Sequence, residues 1–256
     1  MSKTTSEPDF LARATHLAER AREKNIILRI MGACAVIYHV GKEHPLLDVF
    51  RSSRALTDID FVTYRKFWPQ IEDFLQAEGY EPHVRFNTIH GDKQMQFANR
   101  NGTRVDVFCD RLSMSHVIEF EGRLEQDYPT IPLADLMLEK MQIVKINEKD
   151  IKDTTLLLKT HELGDTDKDT INTVRIASVL KEDWGFYHTV TTNLDKVRRR
   201  KDEYDWLSQS DKELIRTKID KLCSIIEAEP KSTGWKLRAR VGTKKKWYTD
   251  VDEQYG

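Results

Sequence analysis

Three aspartates have the type and spacing for divalent-cation chemistry. Asp58-Ile59-Asp60 sets two carboxylates two positions apart, and in a strand the period of two turns both to one face with Ile59 on the other. A third, Asp106, lies in Arg104-Val105-Asp106-Val107-Phe108, an apolar strand pattern in which an unpaired buried carboxylate is costly. One shared cation site accounts for all three. Oxygen-only donors favour Mg²⁺ or Mn²⁺ over zinc, because no Cys or His spacing offers softer ligands. Ions so held stabilise the attacking and leaving oxygens of an in-line phosphoryl displacement.

Phosphates need donors as well. The turn Met31-Gly32-Ala33-Cys34 falls between a β-branched run and a helical one, and a glycine there lets backbone N–H groups approach an anion at the positive end of a helix. Arg54, four residues before Asp58, and Lys140, Lys145 and Lys149, after the third acid, are the cations able to meet a triphosphate or an RNA backbone. A lone D-x-D also serves glycosyltransferases; the glycine turn before it and the third acid after it separate this one. The eight histidines form no H-x-x-x-H pair with an intervening acid and the cysteines have no evident base partner in sequence, so metal-free nucleophilic catalysis has no support.

The elements that must position these residues are legible in outline. Phe10, Leu11, Ala14, Leu17, Ala18 and Ala21 recur at helical spacing over Pro8 to Lys24, with Ser6 and Asp9 as a cap. A strand over Ile26–Met31 runs through Gly32 into a helix over Ala33–Val40, and a second strand covers Ile59–Val62. A helix over Phe67–Glu78 follows, with Gly79 closing it. His83–Asp110 reads as short β runs, and Asn101-Gly102 joins Gln94–Ala98 to Thr103–Cys109 as an antiparallel hairpin. Pro132–Thr160 is helical, and the polar stretch Gly164–Asp169 marks a boundary. Helices are expected over Thr170–Lys181, Trp184–Tyr204 and Asp211–Glu229, the last capped by Ser210 and Glu213. Gly234–Tyr248 alternates apolar with basic residues and reads as a basic β-hairpin, Lys236, Arg238 and Arg240 on one face.

Composition narrows the function classes. The 256 residues are 39% hydrophobic and 32% charged, and 9% aromatic residues argue against a disordered chain. A net charge of -1 lacks the bulk positive field of a histone-like binder, so nucleic-acid affinity must be local. Lys231–Lys246 holds seven Lys/Arg and no acid, with Trp235, Trp247 and Tyr248 alongside, a composition suited to phosphate contacts and base stacking. Three scattered cysteines without a CxxC exclude a disulfide framework. Together with the absence of an apolar leader or an apolar run of membrane-spanning length, they lead to the expectation of a cytoplasmic protein.

Taken in order, Met31-Gly32-Ala33-Cys34-Ala35-Val36, Arg54 through Phe61, Arg104 through Phe108, and Glu139-Lys140-Met141 through Lys149-Asp150-Ile151-Lys152-Asp153 resemble the polymerase-beta-like nucleotidyltransferase superfamily. The resemblance covers about residues 25–160 and is closest to the minimal AbiEii-toxin-like and lincosamide/aminoglycoside branches. It implies an α+β fold: a mixed β-sheet with helices packed on it over residues 1–164, then a mainly helical accessory region over 165–256. It implies metal coordination and catalysis by Asp58, Asp60 and Asp106, with Mg²⁺ or Mn²⁺ as cofactor and an NTP as substrate. Nucleotide contacts would come from Gly32, Ala33, Cys34, Arg54, Lys140 and Lys149, and Asp106 would assist deprotonation of the acceptor hydroxyl. The implied partners are tRNA or another RNA through the basic tail, or an antitoxin-like protein; a small-molecule acceptor and a nucleotide-binding module without turnover are the alternatives. Two departures bear on activity. Ala33 and Cys34 stand where a second Gly and a Ser or Thr are usual, and Asn147-Glu148-Lys149-Asp150 lacks an arginine often found there.

Overall fold

The computed structural model describes residues 10–41, 44, 45 and 56–251. Helix α1 (Phe10–Glu23) buries the stripe Leu11, Ala14, Leu17, Ala18 and Ala21. Strand β1 (Leu28–Met31) runs directly into α2 (Gly32–Val40) through Gly32, whose φ of +65° is left-handed. Strand β2 (Asp58–Thr63) leads through a 3₁₀ turn, Arg65–Phe67, to α3 (Trp68–Ala77) and β3 (Tyr80–Pro82). A short helix α4 (Val84–His90) precedes the hairpin of β4 (Gln94–Asn99) and β5 (Arg104–Cys109). In its turn the Asn99 side-chain oxygen accepts from the amides of Asn101 (3.0 Å) and Thr103 (2.9 Å).

These strands form one mixed sheet of order β1-β2-β5-β4-β3, antiparallel except for the central parallel pair β2/β5. Alternation gives that sheet two chemically distinct faces. Ile59, Phe61, Val105, Val107 and Phe97 are buried on one, whereas the other carries the acids and amides of β2, β5 and β4. A small hairpin, β6 (Arg111–Ser113) with β7 (Val117–Glu119), follows, and Thr130 bridges Ile30 at the β1 edge.

The remainder is mainly helical: α5 (Leu133–Met141), α6 (Glu148–Thr160), α7 (Thr173–Leu180), α8 (Trp184–Arg200), α9 (Gln209–Ala228) and α10 (Thr233–Val241). One continuous apolar core runs from Leu11 to Ile226. Helices α5 and α6 pack on α2 and also on the later helices, linking the sheet to the rest. Among the described residues no helix is long and apolar enough to cross a membrane.

Several local expectations are corrected. The basic tail is a helix and not a β-hairpin: the Ser232 side chain caps α10 by accepting from the Trp235 amide at 3.1 Å, the good helix formers Lys, Leu, Arg and Ala fill it, and Gly242, φ +58°, ends it. Lys236 and Arg240 then share a face, while Arg238 lies on the far side, 4.8 Å above the Trp184 ring. Residues 84–90 are helical despite their β-branched content, because the His83 Nδ1 accepts from the Phe86 amide and opens α4. Helix α9 starts two residues earlier than expected, with the reciprocal cap made by Ser208 and Asp211 in place of Ser210 and Glu213. Pro132–Thr160 is two helices, the second opened by the Asn147 cap. Thr170–Asn172 is a strand, β9, parallel to β8 (Glu162–Gly164). The Ser6/Asp9 cap and Arg54 lie outside the described residues.

Candidate active site

The parallel register of β2 and β5 sets Asp60 beside Asp106 and Asp58 beside Arg104, and the antiparallel register of β4 sets Gln96 opposite Asp106. Every one of these is an alternate position, so Asp58, Asp60, Asp106, Gln94 and Gln96 project from one sheet face. They floor a cleft of about 740 Å³. One side of it is formed by Leu112, Met114 and Ser115; another by Glu139, Lys140 and the segment from Ile143 to Asp150. Tyr248, Asp250 and Val251 complete the lining.

The floor is electrostatically strained. Burial, and then the nearby charges of Asp58, Asp106 and Glu139, push the Asp60 carboxyl well above the usual carboxylate range, with Lys140 opposing. Burial raises Asp106 to about 6 against the pull of the Arg104 guanidinium. Arg104 bridges the acids, pairing with Asp58 and placing its Nε 3.3 Å from Asp106 Oδ2. Asp106 Oδ1 is buried with no hydrogen-bond donor among the described residues, a deficit that a native structure has to explain.

The glycine turn has a role different from the one its type suggests. A Cβ on Gly32 would lie 3.1 Å from Asp60 Cγ and inside contact distance of Oδ2, so the missing side chain makes room for the carboxylate. Its amide donates to Glu139 Oε2 at 3.2 Å. Ala33 and Cys34 are buried within α2 and do not line the cleft. Lys140 is buried, its Nζ 3.2 Å from Glu139, 3.3 Å from Asp153 and 3.7 Å from Asp150, a carboxylate cage joining α5 to α6. Lys145 and Lys149 line the same cleft with exposed side chains.

Substituting Gly32 by Ala should therefore destabilise the fold twice over. The left-handed backbone alone costs about 1–2 kcal/mol for a residue with a Cβ, and the clash displaces Asp60 in addition. Gly32→Asn, whose side chain tolerates that backbone better, relieves the first cost and keeps the second. Urea denaturation of both variants would separate them: a Gly32→Asn protein as stable as the wild type would mean that the carboxylate exerts no steric demand.

Gln94, Gln96, Ser115, Glu139, Tyr248 and Asp250 belong to the cleft without having been among the candidates the sequence offers by type and spacing. Gln94 and Gln96 were findable, since the Asn101-Gly102 turn with period-two counting puts both on the Asp106 face. Tyr248 is marked in sequence only as an aromatic residue beside the basic tail, with nothing to link it to the aspartates, and nothing local marks Asp250.

The donor set suits a hard divalent cation in charge and chemistry, three carboxylates with one orphaned buried oxygen. As they stand, no three His, Cys, Asp or Glu side chains among the described residues converge closely enough to hold a metal ion, and Arg104 pairs with both Asp58 and Asp106. Rotation of that half-exposed side chain would free both.

No protein-family model and no curated protein matches the sequence. Solved structures similar to it include two nucleotidyltransferase-related proteins. The antibiotic-resistance factor ANT(2'')-Ia has 13% identity and a TM-score of 0.36 over 57% of this chain and 80% of its own. An antigenic nucleotidyltransferase-like protein from Paracoccidioides brasiliensis has 14% identity and a TM-score of 0.43 over 90% of this chain and 96% of its own. Likeness at this level carries no function across, and only the residues of the cleft can support a functional reading.

Proposed function

We propose that the protein is a metal-dependent nucleotidyltransferase, moving a nucleoside monophosphate from an NTP to an acceptor hydroxyl. The observation that supports this reading best is the β2/β5 register, which aligns Asp60 with Asp106 and leaves Asp58 one alternate position away, on the floor of a cleft with cationic side chains on its wall. Asp58, Asp60 and Asp106 would hold Mg²⁺ or Mn²⁺, which supplies charge neutralisation at the reacting phosphate. Lys145 and Lys149 meet the triphosphate in this reading, while Lys140, caged by three carboxylates, positions Glu139 and α6.

Asp106 acts as the base. Its Oδ1 is buried with no donor among the described residues, which leaves one carboxylate oxygen to take the acceptor proton. The acceptor oxygen bonds to the α-phosphorus as the bond from that phosphorus to the bridging oxygen of the β-phosphate breaks. The acceptor proton passes to Asp106 and pyrophosphate leaves.

An RNA acceptor is the finer part of the proposal. Lys236, Arg240, Lys244 and Lys245 are exposed on α10 and the turn after it, whereas Lys231 caps the α9 carbonyls and Arg238 holds Gly242 and Lys245. Incubation with each α-labelled NTP, Mg²⁺ or Mn²⁺ and total tRNA should label the RNA with the wild type and fail with Asp58→Ala or EDTA. Label transfer insensitive to both would overturn the reading. A nucleotide-binding module without turnover is favoured by one observation, Arg104 lying across Asp58 and Asp106; it predicts NTP binding with no labelled product from any acceptor.

A further inference from the structure

Outside the sheet, the cleft has an aromatic wall, made by the segment that follows α10. Contacts made by Trp247 and Thr249 hold that segment. The Trp247 indole N–H donates to Thr189 Oγ1 at 3.1 Å, and its ring meets Trp184 and His188 edge-on at centroid distances of 6.4 and 5.1 Å. Its carbonyl sits over Gly185, where a Cβ would come within 2.5 Å of the oxygen. The Thr249 amide donates to the Ser115 carbonyl at 3.0 Å. Ser115 in turn accepts from the Val144 amide through its hydroxyl at 3.4 Å, so one residue ties the segment to the loop that carries Lys145. Between the Trp247 and Thr249 anchors, Tyr248 lines the same cleft as Met114 and Val144; the Lys246 ammonium lies over one face of its ring, 5.2 Å from the centroid, and the Trp247 ring meets it edge-on at 5.2 Å.

We propose that Tyr248 is the platform on which the base of the incoming nucleotide stacks. This rests on the nucleotidyltransferase reading and adds the residue that binds the nucleoside end. An NTP has one anionic end and one flat, weakly polar end, and the cleft is divided the same way. Its acids and amides occupy the sheet floor, and off the floor its lining includes the apolar side chains of Leu112, Met114 and Val144 and the ring of Tyr248. Lys145 lines the same cleft. Its charge reaches Asp250 on the aromatic segment, whose carboxyl is held below the usual range first by the Lys246 ammonium and then by Lys145. Phosphates drawn to Lys145 and the floor therefore leave the base against the Tyr248 ring. Anchoring on both sides holds the backbone, and Trp247 at the ring edge with Lys246 over one face holds the ring, so little side-chain order is lost when a base stacks on the other face. Stacking on an aromatic face tolerates any base, and no base specificity is assigned to this residue.

Titration calorimetry with each NTP and with inorganic tripolyphosphate, all with Mg²⁺, tests the assignment. Tyr248→Ala should weaken NTP binding about tenfold or more, Tyr248→Phe should stay within about twofold of the wild type, and tripolyphosphate should bind all three alike. Gly185→Ala, which pushes on the Trp247 carbonyl from outside the cleft, should reproduce the Tyr248→Ala pattern. NTP binding unchanged in a folded Tyr248→Ala, or an equal loss for NTP and tripolyphosphate, would overturn the platform and leave the proposed function standing. No NTP binding by the wild type would overturn the proposed function, and the platform with it.

Discussion

Asp60→Asn should make the metal-free protein more stable at neutral pH while lowering nucleotidyl transfer by at least about 10²-fold, since losing a metal ligand costs more than the roughly 10–100-fold of losing an outer-shell partner. The two effects share one cause. Asp60 is raised by burial and by Asp58, Asp106 and Glu139, so its ionised form is disfavoured in the folded chain relative to the unfolded one. A carboxyl with a raised folded pKa takes up its proton more readily when folded. Stability accordingly falls as pH rises through the interval between the unfolded value and the folded one. The same holds for Asp106, raised to about 6. Acidifying from pH 7 toward pH 5 should therefore raise the melting temperature of the metal-free wild type through Asp106. Mg²⁺ should stabilise the wild type at pH 7 and the variant much less. A variant that is less stable than the wild type without metal, yet fully active, would remove Asp60 from the site.

How far this site is readable from sequence depends on the range of the interaction that builds it. Asp58 and Asp60 share a face because strands alternate, a local rule, and the Asn101-Gly102 turn sets the β4/β5 pairing by equally local chemistry. The parallel β2/β5 register that brings Asp60 to Asp106 joins strands far apart in the chain through a crossover, and no residue pattern announces it. Gly32 is conspicuous by type, but its demand comes from the Asp60 carboxylate across the sheet. The tail suggests a strand because Trp235, Leu237, Ala239 and Val241 fit a period of two; only the Ser232 cap and helix propensity argue the other way, and α10 has no fully buried residue to enforce a helical stripe. Tyr248 reaches the cleft by anchors on Ser115 and Thr189, contacts that exist only after α8 has docked.

Asp135→Ala should cost about 3–5 kcal/mol, the usual penalty for removing one partner of a buried ion pair. Asp135 is wholly buried in α5, and each of its oxygens is taken by a different arginine: Arg123 Nε at 2.8 Å on Oδ2 and Arg175 Nε at 3.0 Å on Oδ1. Arg123 also grips Asp167 through two bonds of 2.9 and 2.7 Å, and Arg175 donates to the Glu119 carbonyl at 3.0 Å. Removing the carboxylate leaves Arg175 without its acid and Arg123 with only Asp167. The network spans β7, α5, the Gly164–Asp169 stretch and α7, so it crosses the boundary expected after residue 164. If the network couples the two sides, urea unfolding of Asp135→Ala should stay a single transition with its midpoint shifted down. Asp167→Ala should cost less, because Arg123 keeps Asp135. Replacing Asp135, Arg123 and Arg175 together by apolar residues of similar volume should recover much of the loss, since no charge is then left buried and unpaired. Two separate transitions in Asp135→Ala, or a triple variant no more stable than the single one, would show that the charges are not what joins these elements.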